Sequence, residues 1–62
     1  MVRITHEEFC NLRPGDVVFV KCVKRMYKSK VLEKPFYNAD ADEPGWEVET
    51  NNGFCDEYSL YI

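Results

Sequence analysis

Turn-forming residues cut this chain into pieces too short for a long helix. Arg13-Pro14-Gly15-Asp16, Pro35, Pro44-Gly45 and Asn51-Asn52-Gly53 punctuate it. Proline presets φ and glycine takes a positive φ at low cost, so the chain turns at each of these places. The segments between them are rich in β-branched and aromatic side chains, which favour strands. Val17-Val18-Phe19-Val20-Lys21-Cys22-Val23 is the clearest, with Val18, Val20 and Cys22 on one face. Cys22 is therefore expected to be the least accessible thiol.

Met26 to Lys34 reads as a second strand with Val31 or Leu32 inward, ended by Pro35. Residues 38–45 are too polar for regular structure and form an acidic loop. Trp46-Glu47-Val48-Glu49-Thr50 alternates, with Trp46 and Val48 inward. Asn52-Gly53 signals a hairpin to Phe54–Tyr58, and Ser59–Ile62 forms a 3₁₀ turn and a last strand. Near the N-terminus, Thr5-His6-Glu7-Glu8 fits a capping box and predicts a short helix from His6 to Asn11. Phe9 and Leu12 share its inner face, and Pro14 stops it.

A chain of 62 residues holds one core and buries only about 60% of its unfolded surface. Its aromatic content of 15% compensates, because large rings bury much area per residue. Short strands and tight turns leave a sandwich or a small barrel, and the chain is too short for a sandwich. The expected fold is mainly β: one domain over residues 1–62, a barrel of four to five antiparallel strands with one short N-terminal helix.

The run Leu12-x-Pro14-Gly15-Asp16-Val17-Val18-x-Val20 resembles the start of the first strand in SH3-like barrels. The late Trp46-Glu47-Val48 strand, the Asn52-Gly53 hairpin and the closing Leu60-Tyr61 fit the same layout. The chain also resembles short uncharacterised proteins of bacterial mobile elements and phages. The Ala-Leu-Tyr-Asp-Tyr signature of eukaryotic signalling SH3 domains is absent, so the resemblance implies a fold and no proline-rich ligand.

Charge is divided along the chain. All eight Lys and Arg lie before Pro35, against four acids; after it there are seven acids and no base. Folding either interleaves the two halves or leaves opposed patches. No apolar run approaches a membrane span or a signal-peptide core, so a cytoplasmic location is expected. Three cysteines without a C-x-x-C pair read as reduced thiols.

Five constellations bear on function. His6, Cys10, Cys22 and Cys55 contain the donors of a Cys₃His zinc site, but lack the close ligand pairs of a zinc knuckle; no metal is expected. Asn38, Asp40, Asp42 and Glu49 match four positions of a calcium loop, yet Glu43 stands where its glycine belongs, and a solvated acidic loop is favoured. Lys21, Lys24, Arg25, Lys28, Lys30 and Lys34, interleaved with Phe19, Met26 and Tyr27, suit single-stranded nucleic acid. Cross-strand pairing of those lysines with Glu47, Glu49 and Glu57 is favoured over that reading.

The fourth, Phe36, Tyr37, Trp46, Tyr58 and Tyr61, exceeds what a small core needs and suits a protein-contact patch. The fifth is the Cys10–His6 dyad, the one conceivable nucleophile with a base; Cys10 sits beyond the first helical turn, and with a single His and no Gly-rich phosphate loop enzymatic activity is not expected. The leading expectation is a binding module without cofactor that meets another protein, a basic one if that patch is acidic, through Phe36, Tyr37, Asp40, Asp42, Trp46 and Tyr58. The alternative is nucleic-acid binding through Lys21, Lys24, Arg25, Lys28 and Lys30.

Overall fold

A computed structural model describes all 62 residues. The chain begins with helix α1 (His6–Cys10), followed by strands β1 (Val17–Cys22), β2 (Arg25–Lys30), β3 (Phe36–Asn38), β4 (Gly45–Thr50) and β5 (Gly53–Asp56). A 3₁₀ turn (Glu57–Ser59) leads into β6 (Leu60–Tyr61). Two antiparallel sheets result, ordered β2-β1-β6 and β3-β4-β5. The only strand bridge between them is Val31 to Thr50, and the strands form no closed hydrogen-bonded ring. No helix is long and apolar enough to cross a membrane.

Helix α1 starts where the capping box predicts. Glu8 N–H donates to Thr5 Oγ1 at 3.1 Å, and Thr5 N–H donates to Glu8 Oε1 at 2.9 Å. The Thr5 N–H bond, with the Thr5 hydroxyl beside it, holds the Glu8 carboxyl below its ordinary value, because the anion is the better acceptor. The helix ends at Cys10 with Asn11 as its cap, one residue early. Phe9 and Leu12 reach the core together.

The core gathers Ile4, Phe9, Leu12, Val18, Val31, Val48, Cys55 and Leu60, with Val20 and Trp46 packed at its margin. Val31 is inward and Leu32 outward, which sets the phase of the second strand. That strand ends at Lys30 rather than Lys34, because Val31 turns to exchange bonds with Gly15 and Asp16 of the Pro-Gly-Asp turn. At the same corner, Leu32 N–H donates to Glu49 O and Asn51 N–H to Lys30 O, tying the sheets together.

The β4–β5 hairpin is present, but Asn51 and Asn52 form its turn and Gly53 opens β5 at φ +103°. Only Gly53 there needs a positive φ, the arrangement of a tight turn followed by a glycine bulge. The 3₁₀ turn arrives earlier than predicted because the Asp56 carboxylate caps it, accepting from Ser59 N–H and Oγ, both at 2.9 Å. This shortens β5 to end at Asp56 instead of Tyr58.

Two further expectations need correction. Val23 does not continue β1; it sits at φ +54° in the two-residue turn between Cys22 and Arg25. Cys22 is exposed, whereas Cys55 is buried. Pleat alternation does place Cys22 on the side of Val18 and Val20, but the core stops at Val20. Beyond it the sheets leave a cleft of about 400 Å³ that Cys22 lines. Burial pushes the Cys55 thiol above its ordinary value, since desolvation disfavours the thiolate.

Candidate functional site

The division of charge along the sequence becomes a division between sheets. Val18 of β1 and Ser29 of β2 are paired and buried, so Phe19, Lys21, Lys28 and Lys30 lie on the outer face by alternation. Phe19 lies between Lys28 on one side and Tyr61 on the other. An open groove of about 480 Å³ follows at the hairpin end, lined by Lys21, Val23, Lys24, Arg25, Met26 and Tyr61.

In the other sheet Val48 and Thr50 are buried, so Glu47 and Glu49 face outward. Register sets Phe36 beside Glu47 and Phe54 beside Glu49. The rings of Phe36 and Phe54 meet edge to face, 6.1 Å apart at 89°. They are 39% and 60% exposed, so this aromatic pair is open to a partner. Asn38 Nδ2 donates to Glu47 Oε2 at 2.7 Å and holds that carboxylate in place.

The expected pairing of outward lysines with Glu47, Glu49 and Glu57 is not formed. No Lys or Arg is within ion-pair distance of a carboxylate; Glu57 is hydrogen-bonded to His6 instead, at 2.7 Å. The physical reason is topological: hairpin β1–β2 belongs wholly to one sheet, and Glu47 and Glu49 belong to the other. Lys21, Lys24, Arg25, Lys28 and Lys30 therefore form a basic set without ion-pair partners.

The predicted aromatic patch divides. Phe36 points outward with Phe54, while Tyr37 pairs with Trp46 through the opposite side of the pleat, rings 5.8 Å apart. Trp46 is half-buried against the core, and its outer edge meets the His6 ring at 5.7 Å. Tyr58 stands apart beneath the Arg3 guanidinium, 5.6 Å from its ring centre. Asp40 and Asp42 are exposed in the loop between β3 and β4. Phe54 was missing from the predicted set, although a two-residue turn after Thr50, together with an inward Val48, places Cys55 inward and Phe54 outward.

The structure does not gather the four candidate zinc ligands: Cys22 and Cys55 line the cleft between the sheets, and His6 and Cys10, on α1, do not. No group of three or more His, Cys, Asp or Glu side chains is arranged to hold a metal ion. The calcium-loop positions do not form one loop: Asn38 is in β3, Asp40 and Asp42 are in the connection after it, and Glu49 is in β4. His6 and Cys10 do meet, and Glu57 joins them from the opposite edge of the ring: Cys10 Sγ lies 3.4 Å from Nε2, and Glu57 Oε2 lies 2.7 Å from Nδ1.

No family model, curated protein or solved structure matches this chain.

Proposed function

We propose that this protein is a small non-enzymatic binding module that contacts a basic protein partner through the outer face of β3-β4-β5. The observation that carries this reading is the exposed Phe36–Phe54 pair flanked by Glu47 and Glu49, neither of which is in an ion pair. Exposed aromatics supply contact area, and unpaired carboxylates supply charge complementarity to a basic surface. Two observations support reading the two sheets as parts of an SH3-like barrel: the Leu12–Val20 segment leads into β1, and the Val31–Thr50 bridge ties the sheets. Free thiols favour a reducing compartment such as the cytoplasm.

The test is affinity for a partner captured from the native host, measured with purified components. Phe54→Ala is expected to weaken binding by about 2 kcal/mol, roughly thirtyfold. Glu49→Lys is expected to weaken it further. Full binding by both variants would remove this face from the interaction.

A second reading is favoured by the basic set of the other sheet. Lys21, Lys28 and Lys30 flank Phe19 and Tyr61 and lack ion-pair partners, equipment suited to single-stranded nucleic acid. The acidic residues lie on the other sheet, and screening at 0.1 M salt, where the Debye length is about 10 Å, limits their opposition. Binding lost on Lys28→Glu, kept on Glu49→Lys and falling steeply with salt would select this face.

A further inference from the structure

We propose that Cys10, His6 and Glu57 form a thiol–imidazole–carboxylate relay that makes Cys10 a site of reversible modification by low-molecular-weight disulfides. The geometry determines who carries each proton. A carboxylate only accepts, so the Glu57 oxygen 2.7 Å from His6 Nδ1 assigns the hydrogen to Nδ1. In that tautomer Nε2 has a free lone pair, and Cys10 Sγ lies 3.4 Å from it. The thiol is the donor and the imidazole its base.

The relay is held in position from three sides. His6 and Cys10 are four residues apart on α1, so one helix face presents both. Glu57 is the first residue of the 3₁₀ turn that Asp56 caps, and its side chain is only 16% exposed. The Trp46 and His6 rings meet edge to face, centroids 5.7 Å apart. Glu57 and Cys10 approach opposite nitrogens of the ring, so they do not converge on one ion. The arrangement suits proton transfer and not metal binding. Cys10 sits at the carboxyl end of a short helix whose field is weak, so the contact with His6, and not the helix, carries the proposal.

The reaction balances without an external oxidant beyond the disulfide itself. Cys10 gives its proton to His6 Nε2 and attacks one sulfur of the disulfide. The new S–S bond forms as the old one breaks, and the departing thiolate takes the proton from Nε2. One thiol and one disulfide become one mixed disulfide and one thiol, and a second thiol reverses the step.

The protein contains its own control, because Cys22 is exposed and no imidazole contacts it. The experiment exposes the native protein to oxidised glutathione and follows each cysteine by peptide mass spectrometry. Cys10 is expected to react several-fold faster than Cys22 near neutral pH, where a free thiol is only a few per cent ionised. The ratio is expected to fall toward one as hydroxide ionises exposed thiols above about pH 9. His6→Gln should abolish the advantage and flatten that pH dependence, and Glu57→Gln should reduce it. An unchanged melting curve for each variant shows that the fold survives. Equal rates for Cys10 and Cys22 in the wild type, or a Cys10 rate indifferent to His6→Gln, would overturn the proposal.

Discussion

Asn52 donates from Nδ2 to Ser29 Oγ at 2.5 Å, joining the β4–β5 turn to a hydroxyl that lies 2% exposed on the core side of β2. A turn residue thereby satisfies a buried polar atom of the other sheet, and no buried side-chain oxygen or nitrogen lacks a partner. Asn52→Ala is expected to cost about 1–3 kcal/mol, because it strands the hydroxyl. Adding Ser29→Ala should restore part of that loss. Urea denaturation of the two single variants and the double variant measures the coupling, and simple additivity would show that the bond does not join the sheets.

Val23 is strained without compensation. It is β-branched, 86% exposed and held at φ +54°. That region costs an ordinary residue about 1–2 kcal/mol, while asparagine tolerates it. Val23→Asn should stabilise the protein by about 1 kcal/mol and raise Tm by roughly 4–8 °C. A lower Tm would mean that the Val23 side chain contributes packing at the tip.

The thiols should separate by accessibility. Cys22→Ser is expected to change stability by less than about 0.5 kcal/mol, and Cys55→Ser to cost about 1–3 kcal/mol. Native-state alkylation should reach Cys10 and Cys22 and spare Cys55. The Cys55 thiol is raised from the ordinary value of 9.0, so the folded state holds its proton at a pH where the unfolded chain has released it. Its contribution is thus complete below pH 9 and lost as pH rises through the folded value. Cys55→Ala should flatten the alkaline side of the stability profile.

Segregated charge should be visible in salt. Like charges within one face stand on neighbouring positions, closer together than a Debye length at 0.1 M. Raising salt from about 0.1 M to about 1 M as sodium chloride should therefore stabilise the fold by screening repulsion. Lys28→Ala should change stability by less than about 0.5 kcal/mol, since no ion pair is lost. Destabilisation by salt would indicate attraction between the sheets.

Features decided by near neighbours were legible in the sequence. The Thr5–Glu8 capping box, the Pro14-Gly15-Asp16 turn, the start of β1 and the β4–β5 hairpin each depend on residues a few positions apart. Strand alternation alone predicted that Val18 and Val48 would be buried. How far burial extends along a strand was a matter for the tertiary structure. Cys22 has the same phase as Val18, yet nothing covers the end of that hairpin, whereas Cys55 is covered because it pairs with Val48 over the centre of the core. The charge division was present in the chain, but only the assignment of β1–β2 and β3–β5 to separate sheets kept lysines and glutamates apart. Contact between Glu57 and His6 spans 51 residues. No spacing rule reaches that far: it exists because the fold brings α1 and the 3₁₀ turn together, which is a property of the tertiary structure.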